Sequence, residues 1–246
     1  MRLTVVSSVD PAPGEKLPYY EVGGVRYPSV TTILSVLSKP ALGQWAANEA
    51  AEAALRYAQE VWDRKSRIDL SKLREWKRSH TAAKNVAADI GTWTHGLMDS
   101  VLAEARHRVP YPGPQDGTEK RLRGAAAGAR RELRLRTFQA GRMVFSEANG
   151  YAGTFDVIAS VKGLPVLLDY KTSSAVYDEH HLQTAAYLAA VAKPPSKIRR
   201  GILRLDKRSG VWELVYAPRP LLEDLEVFMA AKRLYDWRTR DAAWRR

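Results

Sequence analysis

Apolar and polar positions follow two different periods along this chain. From Ala82 to Ala105 apolar residues recur every three or four positions, at Val86, Ile90, Trp93, Leu97 and Val101, which predicts a long amphipathic helix. Upstream, an Ala-rich segment from about Gly43 to Trp62 predicts another helix. The charged stretch from Asp63 to His80 predicts its helical continuation. Nearer the start, "YYEVGGVRYP" (Tyr19 to Pro28) predicts a small hairpin turning at Gly23-Gly24. Ser29 then caps a short helix that stops at Lys39-Pro40. Pro110, Pro112 and Pro114 interrupt regular structure, and "EKRLRGAAAGARRELRLRT" predicts an Ala/Arg helix. After Gly141 the period falls to two. "RMVFSEA", "GTFDVIASV" and "LPVLLDYKT" read as strands separated by turn signals at "NGY" and "KG". Asp178 to Ala192 returns to helix and ends before Pro194-Pro195. "RRGILRLD" and "VWELVYA" predict a strand pair around Ser209-Gly210, and Pro218 to Trp237 a closing helix. This order predicts an α/β core. The expected division is an N-terminal hairpin and helical region over 1–80, a core over 81–217 and a C-terminal helix over 218–246, packed together as one compact domain.

The third strand of the core carries an anomaly. In "LPVLLDYKTSS" an apolar run enters the interior and then ends on Asp169 and Lys171, which share one face because side chains alternate along a strand. Taken alone, that pair reads as a structural ion pair, since the triplet is frequent by chance. A two-residue loop at Lys162-Gly163 sets Val161 opposite Leu164. Counting outward five residues on each strand brings Asp156, which follows a Gly-Thr turn, opposite Asp169. Two carboxylates so paired repel unless something compensates, and a divalent cation does so directly. A three-residue loop would place them on opposite faces, so the expectation depends on register.

Charge and composition bound the partners. The chain has 246 residues, a formal net charge of +12 and no cysteine. Disulfides, thiol catalysis and cysteine-ligated zinc or iron–sulfur sites are therefore excluded. No apolar run approaches the roughly 20 residues of a membrane span, and the segment after Arg2 does not read as a secretory signal. A cytoplasmic protein with no membrane partner is expected. The positive balance suits a polyanion, and equally suits simple solubility. Arg121, Arg123, Arg130, Arg131, Arg134 and Arg136 crowd the Ala/Arg helix; such a run tracks a phosphate backbone or is a solvated face.

The segments "GTWTH" (Gly91 to His95), "GTFD" (ending at Asp156), "LLDYK" (Asp169 and Lys171) and "QTAAY" (Gln183 and Tyr187), in that order, resemble the motifs of the PD-(D/E)XK nuclease superfamily. The resemblance is to its RecB-like branch, which includes small phage exonucleases and CRISPR-associated nucleases. It implies a restriction-endonuclease-like core, a mixed central sheet flanked by helices, with N-terminal and C-terminal helical additions. It further implies Mg²⁺ or Mn²⁺ held by His95, Asp156, Asp169 and the backbone carbonyl of Tyr170. Lys171 would orient the attacking water or stabilise charge on the phosphate, as suits a compact ammonium. Gln183 and Tyr187, four apart on one helix face, would complete the catalytic set by holding a DNA phosphate or the Lys171 amine. Several relatives carry an iron–sulfur cluster that this cysteine-free chain cannot bind. The terminal helices are then expected to close the domain by packing, through Trp45, Trp62, Trp76, Trp212 and Trp237, although such tryptophans also stack on unpaired bases. Glu147 stays outside the site, and His80, His107, His180 and His181 are expected to be structural or surface residues.

The implied function is metal-dependent hydrolysis of DNA by activated water. An exonuclease acting on DNA ends or single-stranded segments in recombination, repair or phage DNA processing is favoured. The alternatives are a structure-specific endonuclease with the same site, and a non-catalytic nucleic-acid-binding protein with a degenerate nuclease fold. A homo-oligomer or a recombination partner protein is compatible with the family.

Overall fold

A computed structural model of the chain describes residues 18–37, 40–102, 113–192 and 196–240. The prolines at 110, 112, 194 and 195, His107 and the Lys39 stop lie outside these residues, and the side chains of Trp76 and His80 lie outside the described side chains. The chain divides into two compact units, one of residues up to Leu37 with those from Gly91 onward, the other Ser38–Ile90.

The larger unit opens on the expected hairpin, β1 (Tyr19–Val22) and β2 (Val25–Pro28), turning on Gly23 and Gly24 at positive φ. Ser29 caps α1 (Val30–Leu34), its hydroxyl accepting the Thr32 N–H at 3.0 Å. After α4 (Thr118–Glu132), strands β3 (Arg136–Ser146), β4 (Tyr151–Val161) and β5 (Leu164–Lys171) form an antiparallel meander. Helix α5 (Asp178–Val191) carries the chain to β6 (Arg199–Leu205), parallel to β5, and β7 (Trp212–Tyr216) returns antiparallel before α6 (Leu221–Arg240). The result is a mixed five-stranded sheet of order β3-β4-β5-β6-β7, the restriction-endonuclease-like arrangement. Ile158 and Leu167 meet Leu182 and Leu188 of α5, Phe228 of α6 and Ile33 of α1 in one apolar core. At about 25 cal/mol per Å² of apolar surface removed from water, burial of this layer stabilises the sheet.

The smaller unit comprises α2 (Pro40–Asp63) and the first part of α3 (Leu70–Leu102). The expected helical continuation through Asp63–His80 is interrupted. Lys65 adopts φ +48, and the Ser66 N–H bonds the Val61 carbonyl at 3.1 Å, so α2 ends in a left-handed cap before α3 starts at Leu70.

Four further expectations are corrected. Val86 is exposed, so the α3 stripe is buried only further on, at Trp93 and Leu97. The Ala/Arg helix ends at Glu132. Arg134 takes φ +48 and the Leu135 N–H bonds the Arg130 carbonyl at 3.0 Å, a left-handed cap that ends the helix before Arg136 opens β3. Gly153-Thr154 is no turn but lies inside β4. Trp62 and Trp237 are 80% and 63% exposed and contribute no closing core.

Candidate active site

The site lies where β4 and β5 leave their shared ladder. Lys162 and Gly163 form the two-residue turn at φ +48 and +91, a conformation suited to a tight hairpin. Val161 pairs with Leu164 and Val157 with Leu168, the last paired position. Asp156 and Asp169 are the next residues out. The counted register therefore holds from Val161–Leu164 through Val157–Leu168, and Asp156 and Asp169 stand one step past the last pair. Beyond the ladder the Tyr170 N–H is taken by Oδ2 of Asp156 at 2.6 Å. A carboxylate here caps the strand as well as facing the site.

Helix α3 reaches the same place from the other side of β5. Trp93, Leu97 and Met98 are buried, which fixes the helix and aims His95 at the strand end. Its Nδ1 lies 3.1 Å from Oδ1 of Asp156, and its ring meets Tyr170 edge-on at 5.7 Å. Burial alone would raise the Asp156 pKa. The attraction and hydrogen bond of His95, the Lys171 charge and the Tyr170 N–H outweigh it, holding the carboxyl below its ordinary value.

Asp169 lies two residues beyond Leu167 on the face that α5 covers, and it is 1% exposed. Lys171 pairs with its Oδ2. Gln183 of α5 donates through Nε2 to Oδ1 of Asp169 at 2.9 Å and to the Tyr187 hydroxyl at 3.1 Å. The Gln183 Oε1 accepts from Lys171 Nζ at 3.2 Å. Every polar atom of that amide is engaged, so one side chain orients a carboxylate, an ammonium and a phenol. Burial, then the nearby Asp169 charge, pushes the Tyr187 hydroxyl well above its ordinary pKa.

The structure therefore brings His95 to Asp156, and Asp169, Lys171, Gln183 and Tyr187 to one another, with Tyr170 between the two groups. Glu147 stays in the turn after β3. His180 and His181 are buried, and Nδ1 of His180 accepts the Tyr177 N–H at the start of α5, a structural part. Two contributors escaped the sequence reading. Asp99 sits one helical turn beyond His95 and acts on the Tyr170 hydroxyl, whose pKa burial first and then Asp156 and Asp99 raise. The i, i+4 spacing from His95 was its available signal. Gly153 lets the Tyr187 ring lie against β4: a Cβ there would stand 2.5 Å from Tyr187 Cε1.

Among the described residues no three His, Asp or Glu side chains are grouped as a ready metal cage. His95 and Asp156 are closed on each other, and Asp169 is turned to Lys171 and Gln183. The donor chemistry nevertheless fits a hard or borderline divalent ion. The imidazole nitrogen of His95 and the carboxylates of Asp156 and Asp169 are the donors that would suit such an ion.

A mixed sheet with a D-x-K strand end beside a second aspartate is the arrangement that the motif resemblance implies. The family model described as the PD-(D/E)XK nuclease superfamily matches residues 41–237, and the chain belongs to that superfamily. A comparison with curated proteins finds no match.

Proposed function

We propose that this protein is a RecB-like, metal-dependent DNA nuclease, with exonuclease action at DNA ends as its main activity. The observation that carries the reading is the convergence of Asp156, Asp169 and Lys171 at one strand end, tied to Gln183 and Tyr187 of α5. His95, Asp156, Asp169 and the Tyr170 carbonyl would hold Mg²⁺ or Mn²⁺. Bound there, such an ion supplies Lewis acidity, drawing charge from the scissile phosphate and acidifying a coordinated water. The chain's own residues do the rest. Asp156, kept ionised, provides a permanent anion for the cation. The Lys171 ammonium, held by Gln183, neutralises charge developing on the phosphate oxygens. Gln183 and Tyr187 act as positioning residues for Lys171 and Asp169. Attack by water leaves a 5′- or 3′-phosphate product and a free hydroxyl, with no covalent enzyme intermediate.

The test uses linear end-labelled DNA and closed circles, each with Mg²⁺, Mn²⁺ or EDTA. Degradation of linear DNA alone, in either metal and not in EDTA, is expected. Nicking of circles at a comparable rate would make the protein an endonuclease. Binding without cleavage in any metal would make it a non-catalytic DNA-binding protein.

A further inference from the structure

The turn joining α2 to α3 has features that neither packing nor the proposed site uses. Trp62, 80% exposed, lies in the last turn of α2 just before a six-residue tip in which Ile68 is 64% exposed. Trp62 is the most exposed large hydrophobic side chain among the described residues. The tip is also built rather than loose. The Lys65 and Ser66 N–H groups bond the Trp62 and Val61 carbonyls at 3.2 and 3.1 Å, and the Asp69 N–H bonds the Tyr57 hydroxyl at 2.5 Å. Lys65 accepts the left-handed conformation at φ +48 that glycine usually fills.

The tip itself is basic: Arg64, Lys65 and Arg67 stand against a single acid, Asp69. Arg64 pairs with Glu60 at 3.1 Å, while Lys65 and Arg67 make no ion pair among the described residues. Cations at the end of α2 complement its dipole. That accounts for one or two of them, and not for the exposed indole.

We infer that this tip binds an unpaired DNA strand, Trp62 stacking on a base while Lys65 and Arg67 face the flanking phosphates. Aromatic faces amid cations are the chemistry that grips single strands without reading sequence. A duplex keeps its bases stacked inside and offers the indole nothing to stack on. The inference deepens the nuclease reading and rests on it for the choice of DNA: it gives the enzyme a single-strand contact in a unit separate from the one holding the proposed active site.

Anisotropy of labelled oligo-dT and of a blunt duplex of equal length, both in EDTA, tests it without cleavage. Trp62→Ala is expected to weaken oligo-dT binding about 5- to 100-fold and leave duplex binding within about twofold, whereas Trp62→Phe keeps most of the affinity. Lys65→Gln with Arg67→Gln should flatten the salt dependence on oligo-dT by about 1.4 in log–log slope. Unchanged oligo-dT binding by Trp62→Ala, or equal losses on both ligands, overturns the inference while leaving the nuclease reading standing. So does self-association that Trp62→Ala abolishes with DNA affinity unchanged. Failure of the wild type to bind either DNA counts against both.

Discussion

Lys171 and Asp169 are a nearly buried ion pair, their side chains 10% and 2% exposed, and such pairs are poor sources of stability. Desolvation cancels most of the attraction, yet removing one partner strands the other at a cost of about 3–5 kcal/mol. Asp169→Ala is therefore expected to lower Tm as well as abolish cleavage, so it cannot separate folding from chemistry. Gln183 separates them better. Gln183→Ala frees Lys171 and Asp169 without removing either charge, and kcat should fall while KM changes little. The expected loss is about 10- to 100-fold, below the roughly 10²–10³-fold that removing a directly acting donor such as Lys171 brings. Steady-state kinetics on a linear substrate decide it: a rise in KM with kcat unchanged would mean that Gln183 binds DNA instead. The strand and helix periods showed only that Asp169 and Lys171 share one face and Gln183 and Tyr187 another; their roles in a site came from the family resemblance.

Elements set how closely those side chains meet. Tyr187 reaches Gln183 only because Gly153 leaves room where α5 crosses β4. Gly153→Ala should push the ring off the strand, destabilising the fold by about 1–3 kcal/mol and lowering activity alongside. Melting and cleavage measured on the same sample check it, and an unshifted Tm would show that the contact yields easily. At the far end of the sheet, the β6–β7 turn is fixed by Asp206. The Ser209 N–H first, then the Arg208 N–H and Arg204, against some burial, lower its pKa to about 2. A lowered folded-state pKa stabilises above the unfolded value near 3.9 and loses that contribution as pH falls through about 2. Asp206→Asn should thus reduce Tm at pH 7, with the difference from wild type closing between about pH 4 and 2. The hairpin register at Lys162-Gly163 was readable, since only a two-residue turn keeps Val161 against Leu164. The approach of α5 to Gly153 was not, since nothing local distinguishes a strand glycine that admits a ring from one in a turn.

Across the whole molecule the +12 charge is unevenly committed. In α4, Arg123 stacks on Trp93 at 5.4 Å and pairs with Glu119, and Arg121 bonds the Lys207 carbonyl at 3.0 Å. Those arginines are held by protein contacts, whereas the tip after α2 leaves Lys65 and Arg67 to solvent. Sequence composition could locate the basic runs but could not say which were already paired, because the partners lie up to 86 residues away. It misjudged Trp62 and Trp237 for a related reason: an indole's burial depends on what tertiary packing brings to it. None of the described helices is long and apolar enough to cross a membrane. The central claim is that Asp156, capping β5 and facing His95, belongs to a metal-dependent cleavage site. Single-turnover cleavage of linear DNA by wild type and Asp156→Asn, with Mg²⁺ and with EDTA, addresses it most directly, Asn being able to keep the bond to the Tyr170 N–H. Cleavage by wild type in Mg²⁺ only, and a loss of about 10³-fold or more in a variant that still folds, is the predicted result. Cleavage that survives EDTA, or an Asp156→Asn enzyme as fast as wild type, would contradict it.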